Sequence, residues 1–97
     1  MTYLIGTYIR EDMIAATRSM VLFQGDWKDA QEAYEYEKQD SINEGYKLIE
    51  EYKHGTIAVL RGYPLPDSRS MYTTILELWN TDGDGMPFWN LEWNINI

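Results

Sequence analysis

Residues 26–55 read DWKDAQEAYEYEKQDSINEGYKLIEEYKHG, and they hold the only sustained period near 3.6 in the chain. On a wheel turning about 100° per residue, Trp27, Ala30, Tyr34, Ile42, Gly45, Ile49 and Tyr52 share one side, with Leu48 at its edge. Asp29, Glu32, Asp40, Glu44, Glu50 and Glu51 fall on the other side, with Tyr36 among them. The spacing predicts one helix over 26–53, roughly 42 Å long at 1.5 Å per residue. Asp26 is its expected N-cap, since a carboxylate there accepts from the unpaired N–H groups of the first turn. Asp29 adds charge that suits the positive end of the helix dipole. Lys53 and His54 precede Gly55, which suits the residue after a helix because it enters the left-handed region without strain. One conflict lies inside the stretch. Lys38 sits on the apolar stripe, and Ser41-Ile42-Asn43-Glu44 has the form of a capping box, a signal for a second helix after a kink near 39–41. The stripe keeps its phase across that join, which favours one helix.

Outward from this stretch, the chain reads as strands. Residues 2–9 are rich in β-branched and aromatic types. Residues 14–23 read as a second strand forming a hairpin with the first, although Met13-Ile14-Ala15-Ala16 would also suit a helix. Thr56–Tyr63 and Met71–Asn80 read as an antiparallel pair around the proline-containing loop 64–70. Trp89, Leu91, Trp93, Ile95 and Ile97 alternate with Asn90, Glu92, Asn94 and Asn96, which predicts a last strand with one buried and one wet face. The fold class expected is therefore α+β, a single domain over 1–97. It has an antiparallel sheet of about five strands in the order β-β-α-β-β-β, with one long acidic helix packed across one face. One helix covers one face only. The apolar groups on the other side are expected to be covered by sheet curvature, by a twin subunit or by a partner.

Composition narrows the function classes. The chain has 97 residues and a net charge of −8, and it contains no cysteine. That balance repels nucleic acid and anionic membrane surfaces and favours basic partners. Lack of cysteine excludes disulfides, thiolate chemistry and cysteine metal sites, and fits a reducing cytoplasm. No apolar run approaches the length of a membrane span, and the N-terminus lacks the pattern of a secretory leader.

Candidate sites are few. Asn80-Thr81-Asp82-Gly83-Asp84-Gly85 matches the opening half of an EF-hand loop, but Leu91 stands where the bidentate acid belongs, so a glycine-rich hairpin turn explains it better. His54 is the only histidine and builds neither a triad nor a zinc site. Glu11-Asp12 and Glu50-Glu51 are paired carboxylates without convergent geometry, and a solvated face accounts for them. Arg61 and Arg69 flank the proline loop and would hold an anion, although two arginines near a hairpin end are usually surface charge. No residues with catalytic geometry can be named, so the expectation is a non-enzymatic protein with no catalytic residues, no metal and no cofactor.

What stands above this background is the acid count between Asp26 and Lys53. Nine acids and four lysines lie there, −5 of the total −8. Acids spaced along a rigid helix resemble, in charge pattern, the phosphates of a nucleic-acid backbone. A solvated helix face would show the same composition. Tyr36 tilts the reading towards recognition, because a large amphipathic ring among carboxylates is a common interface anchor. The expected partner-binding residues are Asp29, Glu32, Tyr36, Asp40 and Glu44. The expected partner is a basic protein, such as a nucleic-acid-handling enzyme, with no direct contact to nucleic acid or membrane. In size, acidity and lack of cysteine the chain resembles, as a type, small bacterial or phage inhibitors such as nucleic-acid mimics and toxin-immunity proteins, with no motif that fixes such a membership. The alternative is a homo-oligomeric assembly protein, most simply a homodimer through the open sheet face, with the acidic helix serving solubility.

Overall fold

The structure, a computed structural model, describes residues 1–12, 15, 17–52, 55–63 and 70–80. It is an antiparallel sheet of five strands with one helix across it. The elements in chain order are β1 (Thr2–Arg10), β2 (Arg18–Gly25), α1 (Trp27–Asn43), β3 (Tyr46–Tyr52), β4 (Ile57–Gly62) and β5 (Tyr72–Asn80). Across the sheet the strands stand in the order β2-β1-β5-β4-β3. The two hairpins β1–β2 and β3–β4 therefore flank β5, whose nine residues pair with β1 from Thr2↔Asn80 to Arg10↔Tyr72.

This order explains the helix. β2 and β3 are consecutive in the chain yet occupy opposite edges, so the segment between them must cross the sheet. Five strands spaced about 4.8 Å apart are roughly 19 Å wide. The 17 residues of α1 give about 26 Å of rise, enough to span that width. The fold class is the expected one, an antiparallel five-stranded sheet with one helix across it, but the strand after the helix is an unexpected one and the helix is shorter than the wheel implied. Asp26 caps its start as expected, its Oδ1 accepting from the Asp29 N–H at 2.8 Å. The end lies at Asn43, where the Glu44 N–H reaches back to the Asp40 and Ser41 carbonyls and the Gly45 N–H to that of Ile42. Gly45 then turns the chain with φ of +109°, a region costly for any residue with a Cβ. Ser41–Glu44 thus marks the end of a helix and not the start of a second one. Residues 46–52, expected to continue the helix, form the third strand instead. The expected strand over 89–97 lies outside the described residues.

The core sits between α1 and one face of the sheet. It is formed by Leu4, Ala30, Tyr34, Tyr46, Ala58, Leu60, Leu76 and Leu78. The pairings Leu4↔Leu78 and Ala58↔Leu76 place these strand residues side by side beneath the helix. Of the expected helical stripe, Ala30 and Tyr34 are buried, Trp27 and Ile42 are exposed, and Gly45, Leu48, Ile49 and Tyr52 belong to the turn and to β3. Tyr3, Ile5, Thr7 and Glu77 alternate with the core residues and so belong to the opposite face. They are buried as well, so at the centre of the sheet burial extends to both faces.

Candidate functional site

α1 presents two flanks of different character. Lys38 lies on the inward flank, where its position on the apolar stripe looked like a conflict. Its Nζ donates to Glu51 Oε2 of β3 at 2.9 Å and lies 2.9 Å from Glu35 Oε2. The Tyr34 hydroxyl donates to the same Glu51 oxygen at 2.6 Å. Glu51 therefore points under the helix, not away from it on an exposed helical face. These two donors hold its carboxyl below the usual range. Burial, with the hydrogen bond to Glu51, raises the Tyr34 hydroxyl. Partial desolvation of Lys38 is outweighed by its bonds to Glu51 and Glu35, which hold the ammonium above its ordinary value. The group fixes β3 against α1 and leaves no acid or base free for chemistry.

The outward flank holds the expected recognition residues. Asp29, Glu32, Tyr36 and Asp40 follow one another at helical spacings of about three or four residues and so form one stripe. Asp29 and Glu32 are exposed, Asp40 is half-buried, and the Tyr36 ring is 68% exposed. Glu44 lies one residue past the helix, as its C-cap. Glu37, which the sequence reading passed over, joins them. Its carboxyl is raised by partial burial and then by the charges of Asp40 and Glu44. Beneath this end of the helix the Tyr8 hydroxyl is raised by its burial and, among other charges, by Glu37 and Glu44. The spacing of Glu37, Asp40 and Glu44 brings them together on any helix that covers them, so the signal for this cluster was present in the sequence. Among the described residues, none of Asp29, Glu32, Glu37, Asp40 and Glu44 forms an ion pair; those present are Arg10–Asp12, Lys38–Glu35, Lys38–Glu51 and Arg61–Glu11. The flank thus gathers acids around an aromatic ring, and Lys28 in the first turn, exposed beside Asp29 and four residues before Glu32, is the lysine of α1 nearest to it.

The remaining candidates resolve into structure. Glu11 accepts from the Arg61 guanidinium, and Asp12 accepts from Arg10 Nε at 2.7 Å and Ser70 Oγ at 2.7 Å. The Arg10 and Ser70 hydrogen bonds hold the Asp12 carboxyl below its usual value. These acids close the ends of strands, and Arg61 is offset by Glu11 where an anion was considered. Glu50 pairs across from Val59 and Glu51 from Ala58, so the two carboxylates leave β3 on opposite faces. A cleft of about 230 Å³ lined by Gly45, Lys47, Arg61, Gly62, Tyr63 and Met71 lies at the α1–β3 turn. It is smaller than the roughly 300–1,000 Å³ of ligand pockets. Among the described residues, no group of three or more His, Cys, Asp or Glu is placed to hold a metal ion. Asn80 ends β5, while 81–85, His54 and Arg69 lie outside the described residues. No helix among the described residues is long and apolar enough to cross a membrane.

Comparison with protein-family models, with curated proteins and with solved structures gives no match.

Proposed function

We propose that this protein is a non-enzymatic binding module that uses the outward flank of α1 to bind a basic protein, acting as an inhibitor of a nucleic-acid-handling target. The observation that supports this reading is the acidic flank around Tyr36, whose acids form no ion pair among the described residues. Like charges three or four residues apart on a helix each cost about 0.2–0.5 kcal/mol. Asp29 with Glu32, Glu37 with Asp40, and Asp40 with Glu44 are all of this spacing, and the Glu37 carboxyl is raised first by burial and then by the charges of Asp40 and Glu44. A basic surface laid on this flank would relieve all three pairs at once, while Tyr36 offers apolar area for close contact. A nucleic-acid-binding groove has the required sign of charge. No contact with nucleic acid or membrane is proposed. A cytoplasmic location is proposed with it, on the lack of cysteine.

The test is affinity capture from a cell lysate at low and high salt, with the retained proteins identified by mass, followed by kinetics on the purified pair. Glu32→Lys combined with Asp40→Lys is expected to slow association and flatten its salt dependence, since screening acts over about 8 Å at physiological ionic strength. Tyr36→Ala is expected to speed dissociation, with a loss of about 2 kcal/mol if the ring is an anchor. A captured partner whose affinity ignores the double reversal would refute the assignment of this flank.

A further inference from the structure

β3 is unusual for a strand at the edge of a sheet. Six of its seven residues, Lys47 to Tyr52, are exposed, and they include Leu48 at 39%, Ile49 at 51% and Tyr52 at 46%. Among the described residues nothing pairs with its outer side. Edge strands are ordinarily short, charged or interrupted, because a row of free N–H and C=O groups beside apolar side chains recruits another strand. The interruption present here does not blunt the edge; it makes the edge self-complementary.

The pairing of β3 with β4 runs Lys47↔Arg61, Leu48↔Leu60, then Glu50↔Val59 and Glu51↔Ala58. Two residues of β3, Leu48 and Ile49, therefore occupy the length of one step on β4, as in a β-bulge. On the helix side of the sheet stand Tyr46, Leu48 and Glu51; on the other side stand Lys47, Glu50 and Tyr52. Counted in steps, the bulge is the midpoint between Lys47 and Glu50 and also between Tyr46 and Glu51. A two-fold axis through the bulge and normal to the sheet thus sets Lys47 opposite Glu50 of a second copy, twice. It sets Tyr46 opposite Glu51 on the other face and brings the exposed Leu48 and Ile49 of both copies together. A one-step shift would place side chains of opposite faces against each other, which the pleat forbids.

We propose that β3 pairs antiparallel with β3 of a second copy, joining the five described strands of each copy into one continuous sheet with a two-fold axis at the Leu48–Ile49 bulge. Both pairing directions are satisfied at once, as an isologous interface requires. Cross-strand opposite charges support such a ladder and like charges oppose it. In the single chain Lys47 stands across from Arg61, whose charge Glu11 already offsets, so Glu50 of the second copy would be the carboxylate set opposite Lys47. This inference does not depend on the acidic flank of α1 being a binding site; Glu44 of that flank stands two residues before β3, and the residues paired across the two-fold axis are those of β3 itself.

The experiment is sedimentation equilibrium on the full chain from about 1 µM to about 500 µM, where mass action separates monomer from dimer. The wild type is expected to dimerise. Lys47→Glu alone and Glu50→Lys alone are each expected to weaken the dimer by about tenfold or more, because each sets like charges opposite twice. The combined variant carrying both reversals restores opposition of unlike charges and is expected to return to within about threefold of the wild type. Unchanged circular dichroism of each variant shows that the fold is kept. A wild type that stays monomeric throughout the range would overturn the proposal. So would a dimer that tolerates both single reversals, or a double variant no better than the singles.

Discussion

Tyr34→Phe isolates the contact that ties the helix to the edge of the sheet. The ring is buried, with 1% of its surface exposed, and phenylalanine keeps that packing while deleting one hydroxyl. What is lost is the 2.6 Å hydrogen bond to Glu51. A hydrogen bond to a charged group contributes about 1.5–3 kcal/mol. Glu51 keeps its bond to Lys38, and its side chain is 29% exposed, so water reaches the vacated lone pair and the lower end applies. The expected loss is about 1.5 kcal/mol. For a chain of this length, with an unfolding entropy of about 2 cal/mol/K per residue, that corresponds to a fall in Tm of roughly 7 °C. Urea titration is the direct assay, with Cm falling and the m-value unchanged. The pH dependence supplies the sharper check. Tyr34 and Lys38 hold the Glu51 carboxyl below its ordinary 4.5, so its stabilisation is present above that value and is lost as pH falls through the folded-state value. The difference between Tyr34→Phe and wild type should therefore shrink in acid. A loss under about 0.5 kcal/mol at neutral pH, or an equal loss at pH values of about 3 and 7, would refute the reasoning.

Three further outcomes are expected at other positions. Glu37 has the opposite sign: burial and the charges of Asp40 and Glu44 raise its carboxyl above 4.5, so its contribution is most favourable in acid and is lost as pH rises through the raised value. Glu37→Gln is thus expected to stabilise the protein at pH 7 by about 0.5 kcal/mol and to be neutral in acid, read by thermal melts across pH. Gly62 faces the α1–β3 turn, and a Cβ there would lie 2.7 Å from the Tyr46 Cα. Gly62→Ala should cost about 1–3 kcal/mol through forced separation of β3 from β4. Gly55→Ala, where nothing lies within 4 Å of the added atom but φ is +82°, should cost only the backbone strain of about 1 kcal/mol.

Local signals read well where one element needs only its own residues. The β-branched and aromatic run in 2–9 became β1, and Asp26 capped α1 as its side chain implied. Residues 44–52 misled because two periods coincide there. Gly45, Ile49 and Tyr52 extend the helical stripe by chance, yet Tyr46-Lys47-Leu48 alternates in the manner of a strand. Counting Gly45 as part of an apolar face hid its other meaning, a residue that stops a helix by turning left-handed. The tertiary reason was not legible at all: the segment after the helix had to return as a strand because β4 needed an antiparallel neighbour at that edge. On the candidate site, the stripe of Asp29, Glu32, Tyr36 and Asp40 was legible because it depends only on spacing within the true helix. Glu50 and Glu51 were assigned to it only because the helix was drawn too long.

The charge arrangement of α1 follows from this correction. With the helix ending at Asn43, Lys38 is not compensation for the acids near the end of the outward flank, and the helix's other lysine, Lys28, stands in its first turn. Lys38 is drawn inward by Glu51, a carboxylate brought by β3, and the bond to Glu35 completes its neutralisation on that side. A cation committed to the sheet cannot screen the outward flank, so Glu37, Asp40 and Glu44 face one another unrelieved. Fastening the helix and exposing the negative field are thus two consequences of one placement. Replacing Lys38 with methionine should test both, destabilising the β3 edge through Glu51 while leaving the Glu37 titration nearly unchanged, because the lysine it removes was never part of that field. A fall in stability together with a large rise in the Glu37 carboxyl value, followed by NMR, would show that Lys38 screens both flanks and that the segregation is not real.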